Sequence, residues 1–304
     1  RTCCVLRLQT TNHIYIYTDT AREYARAMCG GQLGRMLAIA GAPMGVRVRS
    51  LDPNPVSPAS IVAIPTEGSF QDAADVIAFA KDCDVVTVEI EHIDVAALRE
   101  LEKAGVDVQP CSDTLAIIQD KFAQKEHFKK AGVPLGEFQS VESEEQLAAA
   151  AKTFGFPLML KSRRMAYDGK GNAVAKTEAD VKEAVAKLGG FEKGLYCEKW
   201  VPFERELAVM VVRARDGETR AYPVTETEHV DNICDVTITP ADVSTFVAAA
   251  ATAAAQNAVA SLEGAGVFGV ELFLLEDGSI LLNEIAPRPH NSGHYTIEAT
   301  ACCQ

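Results

Sequence analysis

Apolar runs and helical spacing alternate along the first third of the chain, which predicts strands and helices in turn. Residues 46–51 and 84–90 have the pattern of strands, while 33–40 and 95–103 repeat apolar residues at helical spacing. The run at 84–90 is apolar and β-branched, as is typical of a parallel strand that is buried on both faces. The first part of the chain is therefore predicted to be an α/β domain.

The rest of the chain predicts strand pairs and several longer helices. Two of the pairs are joined by short Asp-Gly turns, which favour antiparallel pairing. The predicted pairs are 157–161 with 172–175, 206–213 with 220–224, and 267–275 with 280–285. Further strands are predicted near 138 and at 195–201, and helices at 114–131, 144–154, 179–188 and 241–262; the first part also has a predicted helix at 72–80.

Residues 1–28 fit poorly with the pattern that follows them. Residues 11–27 are polar without a clean period, and the only strand candidate, 14–17, lies too far ahead of the glycine turn at 30–34. We therefore predict that no strand leads directly into this turn. The predicted parts are an atypical segment at 1–28, an α/β domain at 29–115, and a second domain at 116–304 with a small lid at about 155–225.

Two features of the first domain indicate binding. The glycine turn opens a helix, and a helix N-terminus of this kind is an anion site, although dinucleotide-binding folds use the same device. Glu89, Glu91 and His92 cluster at the C-terminal end of a predicted strand. Ligand crevices open at that end in doubly wound sheets. A helix-capping cluster is the alternative interpretation of these three residues.

Residues 158–176 combine a strand, a glycine loop and a second strand. Lys161 ends the first strand, and further basic residues surround Gly169 and Gly171. Glycine lets backbone N–H groups approach an anion closely, so a basic glycine loop in an acidic protein predicts a phosphate-binding lid. An ordinary hairpin turn with solvated basic side chains is the alternative.

Glu271 and Glu284 lie in the last predicted strand pair, and the turn at Asp277 places them opposite each other. Facing carboxylates repel each other, and a cation between them relieves that repulsion. Mg²⁺ is usually held by one or two carboxylates together with nucleotide phosphates. The pair therefore predicts a magnesium site, and a solvated acidic pair is the alternative.

A polar motif follows directly at 288–294. It combines a guanidinium, an amide, a hydroxyl and two imidazoles, which suits recognition of a phosphate and of polar ligand edges. A polar capping loop is the alternative, and zinc is disfavoured because no third ligand pattern accompanies the two histidines. Residues 198–201 suggest a hinge whose backbone contacts an adenine edge, with Glu206 accepting hydrogen bonds from ribose hydroxyls.

The net charge, the cysteine spacing and the length of the apolar runs argue against several classes of protein. The 304 residues are 48% hydrophobic, and a net charge of −13 argues against nucleic acid or an anionic membrane as the main partner. The nine cysteines show no C-x-x-C spacing, so we expect reduced thiols of an intracellular protein. No apolar run reaches the ~20 residues of a membrane helix. Because the chain starts at Arg1 and stops within a predicted helix, we expect a piece of a longer protein.

Six segments together resemble the ATP-grasp enzymes that carboxylate aminoimidazole ribonucleotide, the N5-carboxyaminoimidazole ribonucleotide synthetases. The segments are GGQLGRM (30–36), VEIEH (88–92), QDKFAQK (119–125), AYDGKGNAVA (166–175), GVELF (269–273) and NEIAPRPHNSGH (283–294). The last motif and the YDGKG loop are the most specific. Met165, Ala166 and Pro289 bring the chain closest to the N-terminal part of plant-type phosphoribosylaminoimidazole carboxylase, in which a mutase/carboxylase domain follows.

The resemblance implies an α/β ATP-grasp fold with a Rossmann-like N-terminal domain, a lid and an incomplete C-terminal part. It implies ATP and Mg²⁺ as cofactors, with Mg²⁺ held by Glu271 and Glu284. The residues implied to bind ATP are Lys121, Lys161, Ala166, Tyr167, Asp168, Gly169, Lys170, Gly171, Asn172, Glu198, Lys199, Trp200, Val201, Glu206, His229, Asn283 and Glu284. The residues implied to bind substrate are Gln32, Glu89, His92, Arg288, His290, Asn291 and Ser292. The residues implied to be catalytic are Tyr167, Asp168 and Arg288.

The implied reaction joins bicarbonate to 5-aminoimidazole ribonucleotide in purine biosynthesis at the expense of ATP, through carboxyphosphate. Asp168 is expected to manage the proton of the substrate amine. The loop at 163–172 is expected to close over the phosphates and exclude water.

The resemblance further implies a soluble intracellular protein of the cytoplasm or a plastid, and it is compatible with a homodimer and a fused mutase/carboxylase domain. Three alternatives remain open at the level of sequence. They are another ATP-grasp ligase, a catalytically inactive nucleotide-binding segment, and a nicotinamide dehydrogenase that uses the glycine turn.

Overall fold

The computed structural model describes residues 24–28, 30–81, 83–165, 171–230 and 233–304. The chain divides into two compact units, one ending at Gln109 and the other starting at Pro110. No helix in these described ranges is both long and apolar enough to cross a membrane.

The first unit contains a five-stranded sheet in which all neighbouring strands are parallel, in the order β3-β2-β1-β4-β5. The strands are β1 (Tyr24–Met28), β2 (Arg47–Asp52), β3 (Ile64–Glu67), β4 (Val85–Val88) and β5 (Asp107–Val108). The helices that alternate with them are α1 (Gln32–Gly41), α2 (Ala73–Ala80) and α3 (Val95–Lys103). This alternation is the predicted α/β architecture.

The prediction that no strand leads into the glycine turn is wrong. β1 ends at Met28, two residues before Gly30, and pairs in parallel with β2 on one side and β4 on the other. Its sequence, YARAM, contains no β-branched residue, so local propensity gave little indication of a strand. Pairing on both edges satisfies the backbone groups of β1, and this tertiary contribution outweighs the weak local preference.

The second unit contains a four-stranded sheet and a six-stranded sheet. The smaller sheet has the order β6-β9-β7-β8, and the larger has the order β13-β12-β10-β14-β15 with β11 also paired to β10. The strands of the smaller sheet are β6 (Phe138–Val141), β7 (Leu158–Ser162), β8 (Asn172–Ala175) and β9 (Leu195–Lys199). The strands of the larger sheet are β10 (Phe203–Arg213), β11 (Thr219–Ala221), β12 (Thr225–Val230), β13 (Ile233–Ile238), β14 (Gly266–Leu275) and β15 (Ile280–Ala286).

The helices of this unit are α4 (Ser112–Gln119), α5 (Lys121–Lys130), α6 (Glu144–Phe154), α7 (Val181–Lys187), α8 (Thr245–Ala260) and α9 (Thr296–Ala299). The smaller sheet takes its strands from 138–199. The lid predicted at about 155–225 also includes β10, which is a strand of the larger sheet. The β12–β13 hairpin was not predicted, because its alternating residues are mostly charged or polar.

The main core of the second unit lies between α8 and the larger sheet. Ala251, Ala255 and Ala258 are buried in one cluster with Phe268 and Val270 of β14. Small alanine side chains let a helix approach a sheet closely, so larger residues at these positions would force the two apart. The smaller sheet has its own buried cluster with α6 and α7.

One predicted helix, 114–131, is two helices in the structure. The backbone of Asp120 is extended, with φ of −105° and ψ of 102°, and its side chain accepts hydrogen bonds from the N–H groups of Phe122 and Ala123 at 3.1 Å each. Aspartate stabilises a helix start in this way and is less favourable inside a helix. The break gives α5 its own N-terminus, and Lys121 is the first residue of this helix.

Candidate functional site

Helix α5 contacts both sheets of the second unit through polar side chains. The buried Gln124 side chain exchanges two hydrogen bonds with the backbone of Ile285, at 3.1 and 3.3 Å, which fixes α5 to β15. Lys121 Nζ lies 3.1 Å from Glu284 Oε2 on the same strand. Lys125, one helical turn later, reaches Glu198 at the end of β9 instead. Neighbouring turns of one helix face thus meet two different sheets.

Glu198 is shared by two lysines, and these three residues are called the lysine cluster below. Lys125 Nζ lies 3.3 Å from Glu198 Oε2 and Lys161 Nζ lies 3.2 Å from Oε1. Burial raises the pKa of the Glu198 carboxyl, but the two ammonium groups outweigh burial and hold this pKa below its ordinary value. Two positive charges and one negative charge leave the cluster with an excess of one positive charge.

Asp120 joins the start of α5 to the end of β7. Arg163 donates to both carboxylate oxygens of Asp120, from Nε at 3.1 Å and from Nη2 at 2.8 Å, and its guanidinium lies 5.1 Å from the Phe122 ring centroid. Arg164 Nη2 lies 3.6 Å from the same carboxylate, and Lys121 N–H donates to Arg163 O at 2.7 Å. The basic segment before the glycine loop is therefore anchored to α5, and it again carries more positive than negative charge.

Glu271 and Glu284 face each other in the register of β14 and β15, as the sequence predicts, and they are called the carboxylate pair below. Burial and the neighbouring Glu284 charge raise the pKa of Glu271 to about 7. Asn283 donates from Nδ2 to Glu271 Oε2 at 3.3 Å. The Asn283 Oδ1 atom is buried, and within the described ranges no hydrogen-bond partner reaches it.

This donor set fits a hard cation, because it offers two carboxylates and an amide oxygen. Across the described part of the chain, no group of three or more His, Cys, Asp or Glu side chains is arranged to hold a metal ion. A cation at the carboxylate pair therefore needs further ligands, and phosphate oxygens and water are the usual ones for Mg²⁺.

The 288–294 motif contacts the carboxylate pair through the side chain of His290. His290 Nε2 lies 3.4 Å from Glu271 Oε1, and Nδ1 lies 2.9 Å from the hydroxyl of the buried Ser292. Gly269 makes this approach possible, since a Cβ there would lie 2.4 Å from the Cβ of His290. Arg288 donates to Pro289 O at 3.2 Å.

Glu206 and His229 meet between β10 and β12. His229 Nδ1 is hydrogen-bonded to Glu206 Oε2, and this hydrogen bond raises the pKa of His229. Their side chains are each about a quarter exposed, at 26% for His229 and 28% for Glu206. The pair therefore keeps polar atoms open to a ligand while each partner orients the other.

The glycine turn of the first unit has a different environment. The buried Glu89 carboxylate accepts hydrogen bonds from the N–H groups of Gly31 and Gly34, one oxygen to each. Gly30 N–H donates to Asp52 Oδ2 at 2.9 Å. The helix-capping interpretation therefore describes the contacts of Glu89, and the chain itself supplies the anions that this helix N-terminus favours.

Two family models match the chain. One describes an ATP-grasp domain over residues 126–304, and the other a ribonucleotide synthetase preATP-grasp domain over residues 26–119. The N5-carboxyaminoimidazole ribonucleotide synthase of Pseudomonas aeruginosa is 39% identical, over 90% of this chain and 75% of that protein. The chain belongs to the ATP-grasp family, among these synthases.

Further relatives agree with this assignment to the ATP-grasp family. A chloroplastic phosphoribosylaminoimidazole carboxylase from Vigna aconitifolia is 50% identical over 271 residues, which are 89% of this chain and 48% of that protein. The chain thus spans about half the length of this relative. A crystal structure of N5-carboxyaminoimidazole synthase from Aspergillus clavatus with ADP and 5-aminoimidazole ribonucleotide matches with a TM-score of 0.85 and 42% identity, covering 91% of this chain and 72% of that one.

The ATP-grasp unit brings many of the predicted residues into hydrogen-bonded or paired groups. The residues that it places in such contacts are Lys121, Lys161, Glu198, Glu206, His229, Glu271, Asn283, Glu284, His290 and Ser292. Lys199 pairs with Glu137 at 2.6 Å instead, Trp200 is 39% exposed, and Asn291 is exposed.

Val201 is half-buried, and the remaining predicted residues divide into three groups. Gly171, with a φ of 91° that favours glycine, precedes Asn172, which pairs with Lys161 across β7 and β8. Gln32, Glu89 and His92 lie in the first unit, where Gln32 is exposed and His92 is half-buried. The predicted loop residues that lie outside the described ranges are Ala166, Tyr167, Asp168, Gly169 and Lys170.

Sequence reasoning assigned no individual site role to four residues that shape the site, although Arg163 belonged to the basic loop that it predicted. They are Asp120, Gln124, Lys125 and Arg163. A signal for Lys125 was present, because it follows Lys121 by one helical turn inside QDKFAQK and therefore shares its face. The other three depend on tertiary partners that are more than 40 positions away in the sequence.

Proposed function

We propose that this chain catalyses the ATP-dependent carboxylation of 5-aminoimidazole ribonucleotide with bicarbonate in purine biosynthesis. The observation that carries the proposal is the presence of two complementary groups in the ATP-grasp unit. The lysine cluster places two ammonium groups on one carboxylate, and the carboxylate pair places two carboxyl groups opposite each other on β14 and β15. A metal–nucleotide complex offers phosphates to the first and a cation to the second.

In the proposed reaction, a bicarbonate oxygen attacks the γ-phosphorus of ATP, ADP leaves, and carboxyphosphate forms. Carboxyphosphate then releases phosphate and carbon dioxide. The 5-amino nitrogen of the ribonucleotide bonds to the carbon dioxide as a carbamate and loses one proton. By resemblance, Asp168 takes up that proton, while Tyr167 and Arg288 position the reacting groups.

The protein contributes mainly charge neutralisation and alignment. Lys161 and Lys121 would neutralise phosphate oxygens, and the Glu206–His229 pair would accept and donate hydrogen bonds at the ribose. Glu271 and Glu284 would hold Mg²⁺, which when bound neutralises negative charge on the phosphates. Burial and the Glu284 charge raise the pKa of Glu271, and a cation held by both carboxylates would offset the second of these causes.

The substrate assignments stay predictions from the resemblance, supported by the Aspergillus relative that was crystallised with ADP and 5-aminoimidazole ribonucleotide. They concern Gln32, Glu89, His92, Arg288, His290, Asn291 and Ser292. A fused mutase/carboxylase domain, a homodimer and a cytoplasmic or plastid location also belong to the proposal. The plant relative, in which the matched region is about half of the protein, supports the first of these and is named chloroplastic.

Phosphate release from Mg-ATP and bicarbonate tests the proposal when it is measured with and without 5-aminoimidazole ribonucleotide. We expect the ribonucleotide to stimulate release. Asp168→Asn should keep ATP affinity within a few-fold, measured by calorimetry, and lose the stimulation. A protein that hydrolyses ATP without any response to the ribonucleotide would point to another ATP-grasp ligase.

A further inference from the structure

Lys125 has no role in the proposed reaction, yet it is one of the most deeply buried charged residues in the second unit. It is 3% exposed, and its ammonium nitrogen lies 3.3 Å from Glu198 Oε2. Burial lowers the pKa of Lys125 although the Glu198 charge acts in the opposite direction. A buried lysine is costly to keep charged, so its presence suggests a specific task.

Lys125 and Lys161 differ in how exposed their side chains are to solvent. The side chain of Lys125 is 4% exposed and that of Lys161 is 14% exposed. Lys161 lies near the end of the strand that leads into the glycine loop, whereas Lys125 lies on α5 and contacts the other oxygen of the Glu198 carboxylate. A ligand can therefore reach Lys161 more readily, and Lys125 acts through Glu198.

Lys125 changes the net charge of the group formed by Lys161 and Glu198. A cluster of Lys161 and Glu198 alone is neutral, and the Glu198 carboxylate would then compete with any phosphate for the Lys161 ammonium. With Lys125 present, the second carboxylate oxygen has its own cation and the cluster carries one net positive charge. An anion next to Lys161 meets that charge in a poorly solvated place, where it is weakly screened.

We propose that Lys125 is a positioning residue that neutralises Glu198, so that the Lys161 ammonium remains available to the phosphates of a nucleotide. The inference rests on the proposed nucleotide site and deepens it. It assigns the Lys125–Glu198–Lys161 arrangement a function as a charge-setting unit, in which Lys161 contacts the phosphates and Lys125 acts through Glu198.

Three variants separate charge from packing, with ADP binding to the purified chain measured by calorimetry. Lys125→Met removes the net charge, and we expect ADP affinity to fall about tenfold, which corresponds to 1.4 kcal/mol. Lys125→Arg keeps the charge and should recover most of the affinity. The double variant Lys125→Met/Glu198→Gln leaves Lys161 as the only charge, so it should bind ADP more tightly than Lys125→Met alone.

Lys130→Met is the matched control, because it removes the same charge from an exposed position on the same helix and should leave ADP affinity unchanged. Thermal unfolding of each variant reports whether the fold persists. If Lys125→Met does not fold, the double variant decides, since it removes the carboxylate charge together with the lysine that neutralises it. Retained ADP binding by the double variant then supports the inference, and a loss of more than about tenfold overturns it.

The outcomes distinguish this inference from the proposed function. Absence of ADP binding to the unaltered chain would refute the nucleotide site itself. Equal ADP affinities of the unaltered chain and Lys125→Met would overturn the role of Lys125 and leave the nucleotide site standing. A double variant that binds no better than Lys125→Met would also overturn it, because packing rather than charge would then explain the loss.

Discussion

The glycine turn of the first unit and the lysine cluster of the second unit both have the sequence features of an anion site, but they differ in how their charges are balanced. At the glycine turn, the N–H groups of Gly31 and Gly34 already donate to Glu89. In the lysine cluster, one carboxylate faces two ammonium groups. At the glycine turn, the chain itself satisfies the backbone N–H donors. In the lysine cluster, there is one more positive charge than negative charges, and an anionic ligand can neutralise it.

This difference shows that the residue types of a motif do not decide whether it binds a ligand. Glycines at a helix N-terminus provide donors, and a buried carboxylate of the same unit satisfies them. The buried lysine cluster has two positive charges against one negative charge, and such an imbalance is costly there unless an anion binds. Four predictions test this contrast.

The largest effect is expected from Glu284→Gln. It removes half of the carboxylate pair, so we expect loss of Mg²⁺-dependent ATP hydrolysis with an intact fold. Relief of the repulsion with Glu271 and loss of the Lys121 partner oppose each other, so metal-free stability should change by less than about 1 kcal/mol. Glu276→Gln, at an exposed position of the same hairpin, is the control for both measurements. Undiminished turnover would remove the metal assignment.

Lys161→Met should weaken ADP binding by about a hundredfold, because the residue that we propose to contact the phosphates is lost together with its charge. The fold should persist, since Glu198 keeps Lys125 as a partner. Calorimetry measures the affinity, and Lys176→Met provides an exposed control after β8. An affinity loss no greater than that of Lys125→Met would contradict the division of roles between the two lysines.

Glu89→Gln should destabilise the protein by about 1–3 kcal/mol without changing ADP affinity. The oxygen of the variant amide can accept a hydrogen bond from one of the two N–H groups of the turn. Its NH₂ group is itself a donor and therefore faces the other N–H group without forming a hydrogen bond. Chemical unfolding and calorimetry measure the two effects, with Glu100→Gln as an exposed control on α3. Weaker binding of 5-aminoimidazole ribonucleotide at unchanged stability would instead favour the predicted substrate role of Glu89.

The smallest effect concerns pH and the Glu206–His229 pair. The folded-state pKa of His229 is raised, so its pairing stabilises the fold fully below the unfolded-state pKa of about 6.5 and this contribution is lost as pH rises through the folded-state pKa. The pair is partly exposed, and we expect less than about 1 kcal/mol. His229→Gln should remove this pH dependence from unfolding curves between pH 5 and 9, and parallel curves for both proteins would argue against the pair.

Local pattern determined much of the fold and one side of the candidate site. Helix α3, helix α6 and strand β8 lie at their predicted bounds, because their apolar spacing and flanking polar residues are local properties. Glu271 pairs with Glu284 as the position of the hairpin turn predicted, and an irregularity between Glu271 and Leu272 shifts the register there relative to the pairs nearer the turn. The YDGKG loop and the 283–294 motif were sufficient to indicate the ATP-grasp family.

Tertiary structure decided the features that depend on partners far away in the sequence. β1 is a strand because β2 and β4 pair with it, and Asp120 interrupts a helix where its side chain caps the next one and binds Arg163. Glu89 became a cap because the fold brings β4 to the glycine turn. Lys125 became part of the lysine cluster because α5 packs against two sheets at once. Sequence supplies the charged groups, but only the fold sets how many opposite charges surround each of them, and that number separates a completed contact from a binding site.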